Sequence, residues 1–106
     1  MMIYLKVHEG EEGIVIALCD EDLIDKVFEE GELYINIRDY NEFYVGDLVD
    51  PNDYRLGLNV NDISSINAIG SQSVSYLIKN NLVTEDNIKK VEDVPYAHSY
   101  VIKDKK

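Results

Sequence analysis

The chain has 106 residues, of which 45% are hydrophobic and 29% are charged. This length and composition are typical of one soluble domain with a single modest core, and they leave little room for a large enclosed active site. Twenty-one acidic residues against ten basic ones give a formal net charge of −11, which excludes a basic protein that coats nucleic acid.

The single cysteine, Cys19, and the apolar segments indicate the compartment. One cysteine cannot form an internal disulfide. The segment 1–8 lacks the basic start and the apolar stretch of a secretory signal, and the longest apolar run, Ile14–Cys19, is as long as a strand rather than a membrane span. We therefore expect a cytoplasmic protein without a membrane segment.

The charges are unevenly distributed. Residues 1–78 contain four basic and sixteen acidic residues, whereas residues 79–106 contain six basic and five acidic ones. A solvated acidic surface that keeps the protein soluble accounts for this pattern, and so does a field that orients a basic partner. Of the two interpretations, the solvated surface is favoured.

The start of the chain predicts a β-hairpin. Apolar and polar residues alternate over residues 3–8, as they do in a half-buried strand. A loop rich in glycine and acidic residues then leads to the run Ile14–Cys19, which is apolar on both faces. We therefore expect this second strand at the centre of a sheet.

After the hairpin, Asp20 predicts the start of a short helix. Aspartate is a good N-cap, acidic residues follow in the first turn, and Gly31 ends the helix or the turn beyond it. Residues 33–37 then alternate as a third strand does. The apolar side of the predicted helix consists of Leu23, Ile24, Val27 and Phe28.

The middle of the chain, residues 38–62, predicts a turn or a short helix. Asp50-Pro51 is a possible helix start, because aspartate caps helices and proline suits their first position. The aromatic residues Tyr40, Phe43 and Tyr44 are expected to pack at one edge of the core.

The last third of the chain predicts one helix and two strands. Ser71 is expected to cap a helix over about 72–80. Residues 88–91 predict a short strand, Pro95 is expected to break the chain, and residues 97–102 predict a last strand.

Together these elements predict an α+β fold. The order of elements lacks the regular alternation of a doubly wound sheet, so we expect a two-layer, mainly antiparallel sheet with helices on one face. Residues 1–102 are expected to form a single domain and residues 103–106 a frayed, lysine-rich tail.

Four separated segments resemble the small archaeal family DUF424 in their order and spacing. They are Ala17–Glu21, Phe43–Gly46, Asn67–Gly70 and Val94–His98. The resemblance implies an archaeal, cytoplasmic protein with a compact α+β fold and no established activity. The candidate functional residues in these segments are Cys19, Asp20, Phe43, Tyr44, Gly46, Asn67, Gly70, Pro95, Tyr96 and His98.

The last of these segments departs from the family pattern. Family members usually read Pro-His-Ala-Gln where this chain reads Pro95-Tyr96-Ala97-His98. Either the family's histidine has a structural or recognition role, or His98 takes over its role from a position two residues further on. Both positions lie on the same face of a strand.

Cys19 and the two histidines are the residues on which catalysis or metal binding would depend. Cys19 precedes a predicted helix start, but the three acidic residues after it outweigh the positive end of the helix dipole. A buried structural thiol is therefore favoured over a nucleophile or a ligand. A zinc site would need Cys19, His8 and His98 to converge with a carboxylate, which is geometrically possible if the first and last strands are neighbours, but no CxxC or HxxxH spacing supports it. No phosphate-binding glycine motif is present, and we expect neither a metal nor a cofactor.

Tyrosine and lysine suggest binding surfaces. The chain has eight tyrosines, two phenylalanines and no tryptophan. Tyrosine suits an interface, although packing at the edge of the core is the favoured explanation. Interleaved cations and rings near the C-terminus could stack single-stranded RNA weakly. This patch consists of Lys89, Lys90, Lys103, Lys105 and Lys106 with Tyr96, His98 and Tyr100.

The leading hypothesis is a non-enzymatic acidic module that binds a basic protein partner in the translation machinery. It depends on the acidic composition, the surplus of tyrosine and the lack of a catalytic motif. One alternative is a weak RNA-binding accessory protein that uses the C-terminal patch. Another is a small metal- or cysteine-dependent enzyme. The sequence does not indicate an oligomeric state.

Overall fold

A six-stranded sheet and a two-stranded hairpin make up the β-structure of the residues that the structure describes. The computed structural model describes residues 2–53, 57 and 60–100. The strands are β1 (Ile3–Gly10), β2 (Gly13–Asp20), β3 (Val27–Glu30), β4 (Leu33–Asn36), β5 (Asp47–Val49), β6 (Ile63–Ile69), β7 (Lys89–Val91) and β8 (Val94–Tyr100). The helices are α1 (Asn41–Tyr44) and α2 (Ser71–Lys79).

The large sheet has the strand order β5-β1-β2-β6-β8-β7, and β3 and β4 pair separately. Neighbouring strands are antiparallel except for β2 and β6, which are parallel. The predicted α+β class with a mainly antiparallel sheet is therefore confirmed. The central position predicted for the second strand is also correct, since β2 lies between β1 and β6.

Other elements pack against both faces of the large sheet, and β2 is apolar on both sides because it contributes to the core on each face. Ile16 and Leu18 join the core beneath α2, whereas Ala17 and Cys19 join a second core beneath the β3–β4 hairpin and α1. The predicted two-layer arrangement thus describes the α2 face. On the opposite face the structure adds the hairpin and the short helix, which together form the groove described below.

The helix predicted after Asp20 was wrong. Only a single 3-10 turn forms there, over Glu21–Leu23, and Val27 and Phe28 lie in β3 instead. β-branched and aromatic residues favour strands. Gly31 adopts a φ of 61° in the two-residue turn that joins β3 to β4.

Strand β6 contains a bulge that hides its alternation. Ile14 pairs with Ile63 and Val15 pairs with Ser65, so Ser64 is an extra residue in the ladder. The hydroxyl of Ser64 donates a hydrogen bond to the Ile14 carbonyl at 3.1 Å. The bulge brings Ile63 and Ile66, three residues apart, into the same core.

The interpretation of Pro95 as a chain break was wrong, because Pro95 lies inside β8. On one side of β8, Pro95 pairs with Lys90 of the edge strand β7. On the other side, the pairing with β6 ends one residue further along β8, at the pair of Ile69 with Tyr96. Proline is tolerated at such a position because no ladder bond needs its missing N–H. Its carbonyl accepts a hydrogen bond from the Gly70 N–H at 2.8 Å.

Two sequence predictions extend beyond the described residues. The Asp50-Pro51 segment forms a turn in which the Asp50 side chain accepts a hydrogen bond from the Asn52 N–H at 2.9 Å. The helix predicted to follow this segment falls mostly outside the described residues. The end of the last strand and the tail, residues 101–106, also lie outside it. Within the described ranges, no helix is long and apolar enough to cross a membrane.

Candidate functional site

An open groove lies between the β3–β4 hairpin, helix α1 and strand β8. Its volume is about 390 Å³, within the range of small ligand sites. Tyr34 and Tyr40 are 56% and 64% exposed, whereas Tyr44 is only 8% exposed. We call it the aromatic groove, and its lining residues are Tyr34, Ile35, Asn36, Tyr40, Phe43, Tyr44 and His98.

Strand β1 holds the α1 wall of the aromatic groove in place. The ring of His8 stacks on that of Phe43 with centroids 4.7 Å apart, and Tyr44 meets Phe43 edge-on at 5.1 Å. His8 Nε2 lies 2.9 Å from the Phe43 carbonyl, which can only accept, so the imidazole donates. The ammonium of Lys6 donates to the Glu42 carbonyl. His8 is therefore a positioning residue for Phe43.

Gly46 allows the chain after α1 to pass directly against β1. A Cβ at this position would lie 2.3 Å from the Leu5 carbonyl oxygen and 2.9 Å from the Lys6 Cα. Both of these atoms belong to the backbone of β1. Gly46 thus has a structural role, which is to let α1 lie close to the sheet.

His98 lies at the β8 end of the aromatic groove. It pairs with Asn67 on β6, and Asn67 pairs with Ala17 on β2, so Asn67 is a neighbour of His98 on the same face of the sheet. Tyr96 packs edge-on against His98 at 5.5 Å, which confirms that the two positions share a face. Partial burial and the nearby Lys89 lower the pKa of His98 below 6.5, so its imidazole is neutral at pH 7.

Cys19 and Tyr44 lie in the core below the aromatic groove. Burial, and then the charges of Asp20 and Asp22, raise the pKa of the Cys19 thiol to about 12. Burial and the proximity of Cys19 raise the pKa of Tyr44 to about 12. Both groups keep their protons at neutral pH, so neither is suited to act as a nucleophile or a base.

Native Cys19 is expected to resist alkylation. Relative to an unperturbed pKa of 9.0, a pKa of about 12 leaves roughly a thousandfold less thiolate at pH 8. The measurement is the rate of iodoacetamide modification by mass spectrometry, with the urea-unfolded chain as the control. Rapid labelling of the folded protein would show instead that the thiol is open and reactive.

Asp20 caps helix α2 rather than the segment that follows it. Its carboxylate accepts hydrogen bonds from the Ser73 N–H at 2.7 Å and the Gln72 N–H at 3.1 Å. No side chain next to the start of the helix supplies a capping hydrogen bond. The prediction that Ser71 caps the helix was therefore wrong. Gly70 has a φ of 112°, and a Cβ there would lie 2.2 Å from the Asp20 carboxyl carbon.

The structure thus divides the candidate residues into separate groups. The aromatic groove contains Phe43, Tyr44 and His98, with Asn67 beside His98. A structural junction of β2, α2 and β8 contains Asp20, Gly70 and Pro95. Cys19 and Tyr96 are buried in the core between these groups, and Gly46 lies against β1.

The two histidines are far apart in the sheet. His8 is on β1 and His98 is on β8, and β2 and β6 lie between them. The first and last strands, which a zinc site would need as neighbours, are therefore separated by two other strands. Among residues 2–53, 57 and 60–100, no group of three or more His, Cys, Asp and Glu side chains is placed to hold a metal ion.

Sequence reasoning missed the hairpin wall of the aromatic groove. Tyr34 and Asn36 occupy the polar positions of the predicted third strand, and this alternation was the available signal. Polar positions of a strand normally face solvent. Nothing local in the sequence shows that β4 lies beside α1.

Comparisons with known proteins give a family and a fold. A family model described as "Protein of unknown function (DUF424)" matches residues 7–102. The crystal structure of an uncharacterized conserved protein from Methanopyrus kandleri is similar, with a TM-score of 0.81 and 24% sequence identity, and the alignment covers 100% of this chain and 96% of that one. At this identity the likeness concerns the fold. A search of curated proteins found no match.

Proposed function

The chain belongs to the DUF424 family, and we propose that it is a non-enzymatic interaction module that binds a basic segment of a protein partner in the aromatic groove. The supporting observation is an open groove with four aromatic rings on a strongly acidic protein. Within residues 2–53, 57 and 60–100, twenty residues are Asp or Glu and six are Lys or Arg. A partner in the translation machinery stays a prediction.

The lining of the aromatic groove suits a cationic side chain. A lysine or arginine over an aromatic face is stabilised by about 0.5–2 kcal/mol. Tyr34 and Tyr40 offer exposed rings, and the exposed carboxylate of Glu42, adjacent in sequence to a lining residue, has no ion pair among the described residues. His98 is neutral at pH 7 and so does not repel a cation from this space.

The alternative functions have less support from the described residues. In the predicted RNA-binding patch, Lys89 and Lys90 are exposed, but Glu92 and Asp93 follow at once and the remaining lysines lie outside the described part. A phosphate chain would also be repelled by a protein with a net charge of −11. A cysteine-dependent enzyme would need Cys19 ionised and open to substrate, and it is buried with a raised pKa.

Charge reversal beside the groove is expected to weaken binding of a basic peptide. The probe is a fluorescein-labelled peptide of about eight residues in which lysine and valine alternate, called here the Lys-Val peptide. Glu42→Lys should raise its Kd about three- to tenfold, whereas Glu85→Lys, on the turn before β7, should leave it unchanged. Fluorescence anisotropy measures the Kd from about 0.05 to about 0.5 M salt, and binding should weaken with salt.

The controls are a peptide of opposite charge, the Glu85→Lys variant and a single-stranded RNA. A peptide of alternating glutamate and valine should not bind, because its charge matches that of the protein. Equal weakening by both charge reversals would show nonspecific attraction to the acidic surface, and no binding of the Lys-Val peptide at low salt would contradict the proposal. Tighter binding of single-stranded oligouridine than of the Lys-Val peptide would favour the RNA-binding alternative.

A further inference from the structure

The backbone of β4 has one edge that is not used within the β3–β4 hairpin. Glu30 and Leu33 close the two-residue turn, so alternate pairs, including Phe28 with Ile35, exchange backbone hydrogen bonds. The Ile37 N–H continues this pattern by donating to the Lys26 carbonyl at 3.0 Å. The N–H and C=O groups of the intervening residues of β4 therefore point away from β3.

The outer edge of β3 is occupied, in contrast to that of β4. The Glu29 N–H donates to the Glu92 carboxylate at 2.7 Å, and the Glu92 N–H donates to the Glu30 carboxylate at 2.6 Å. Across the described ranges, the outward backbone groups of Tyr34 and Asn36 have no hydrogen-bond partner. Exposed strand edges are usually blocked, and an open one is a template for pairing with another chain.

The aromatic groove runs along this open edge. Side chains alternate across a strand, so Tyr34 and Asn36 project to one side of β4 and Ile35 projects to the other. A cavity lined by all three must follow the edge of the strand rather than either face. The opposite wall, formed by α1 and His98, supplies rings rather than a pairing strand.

We propose that the basic partner segment binds as an extended strand that pairs with the open edge of β4 and converts the hairpin into a three-stranded sheet. This inference rests on the proposed function above and specifies the conformation of the ligand. Backbone bonds to Tyr34 and Asn36 would supply affinity, and alternate side chains of the segment would contact the rings of the aromatic groove.

Charge complementarity identifies the occupant as a basic segment rather than a second copy of this chain. Pairing β4 with β4 of another copy would bring together two chains that each have a net charge of −11. Like charges across an interface oppose association. A lysine- or arginine-rich strand instead meets a protein with a net charge of −11, and the exposed carboxylate of Glu42, adjacent in sequence to Phe43 of the groove, has no ion pair among the described residues.

Two substitutions at Tyr34 separate backbone pairing from side-chain docking. Tyr34→Ala and Tyr34→Pro both remove the ring, but only proline removes the outward N–H, which the hairpin does not use. Tyr34→Pro should bind the Lys-Val peptide about five- to tenfold more weakly than Tyr34→Ala, the effect of one lost hydrogen bond. Thermal unfolding shows whether the proline variant retains its fold.

A second measurement leaves the protein unaltered. The Lys-Val peptide is N-methylated at one position at a time, and methylation should weaken binding at every second position, because alternate N–H groups of a strand face one neighbour. Hydrogen exchange of the Tyr34 and Asn36 amides should slow when the unmodified peptide binds. If Tyr34→Pro does not fold, the series of methylated peptides still tests whether the peptide pairs with β4 as a strand.

The outcomes distinguish this inference from the proposed function. Equal affinities of the two Tyr34 variants, with no two-residue periodicity in the methylated series, would overturn strand pairing while leaving groove binding intact. No binding of the Lys-Val peptide to the unaltered protein would overturn both. Concentration-dependent dimerisation that protects the Tyr34 and Asn36 amides without peptide would identify a second copy as the occupant and overturn the inference.

Discussion

The Gly46→Ala variant is expected to lose about 3 kcal/mol of unfolding free energy, at the upper end of the usual cost of overpacking. The added Cβ would meet the Leu5 carbonyl oxygen at 2.3 Å and the Lys6 Cα at 2.9 Å. Neither atom can rotate away, since both are backbone atoms of a strand paired on each side. The chain after α1 must therefore move off β1, and Phe43 with it.

Urea unfolding measures this loss, with Gly10→Ala as the matched control. A Cβ at Gly10 would meet its nearest neighbour at 3.5 Å, an ordinary contact, so that variant should keep nearly its full stability. Gly46→Ala should also weaken binding of the Lys-Val peptide, because the α1 wall of the aromatic groove would shift. Equal stability of the two variants would contradict the close approach of α1 to the sheet.

Asp20→Ala and Gly70→Ala are each expected to be strongly destabilising, and together to cost less than the sum of their separate effects. Asp20→Ala leaves two N–H groups at the start of α2 without their acceptor, which costs about 2–3 kcal/mol. Gly70→Ala forces a Cβ against the Asp20 carboxylate and strains a φ of 112°. With the carboxylate gone, the clash disappears and only the backbone strain remains.

A double-mutant cycle measures this coupling, which should be about 1–2 kcal/mol. Ser71→Ala serves as the control, because Ser71 looks like the local cap in the sequence but supplies no capping hydrogen bond. It should change the unfolding free energy by less than about 0.5 kcal/mol. A larger loss for Ser71→Ala than for Asp20→Ala would show that the distant carboxylate is not the cap.

The sequence predicted the elements whose patterns are regular and local. Strand β1 was recognised by its alternation, β2 by its continuous apolar run, and α2 by its helical period. The pattern at Leu23, Ile24, Val27 and Phe28 suits a helix face but divides in the structure between a 3-10 turn and β3. Strand β6 was missed because the extra residue Ser64 places Ile63 and Ile66 three residues apart, a spacing typical of a helix face.

The candidate site was predictable in its parts but not in its arrangement. Phe43, Tyr44 and His98 were candidates from the sequence, yet they meet only because β1 holds α1 beside β8 and the hairpin lies opposite. The outer edge of β3 is blocked by Glu92, which lies 63 residues after Glu29 in the chain, and no comparable group covers the outer edge of β4 within the described residues. Such long-range pairings leave no local pattern in a single sequence.

The distant cap on α2 also constrains the order in which the molecule can assemble. A helix of nine residues is too short to persist in water by itself. The acceptor that completes its first turn lies 52 positions earlier in the chain, at the end of β2. The first turn of α2 can therefore be completed only when β2 is in place, and the two should melt as one cooperative unit.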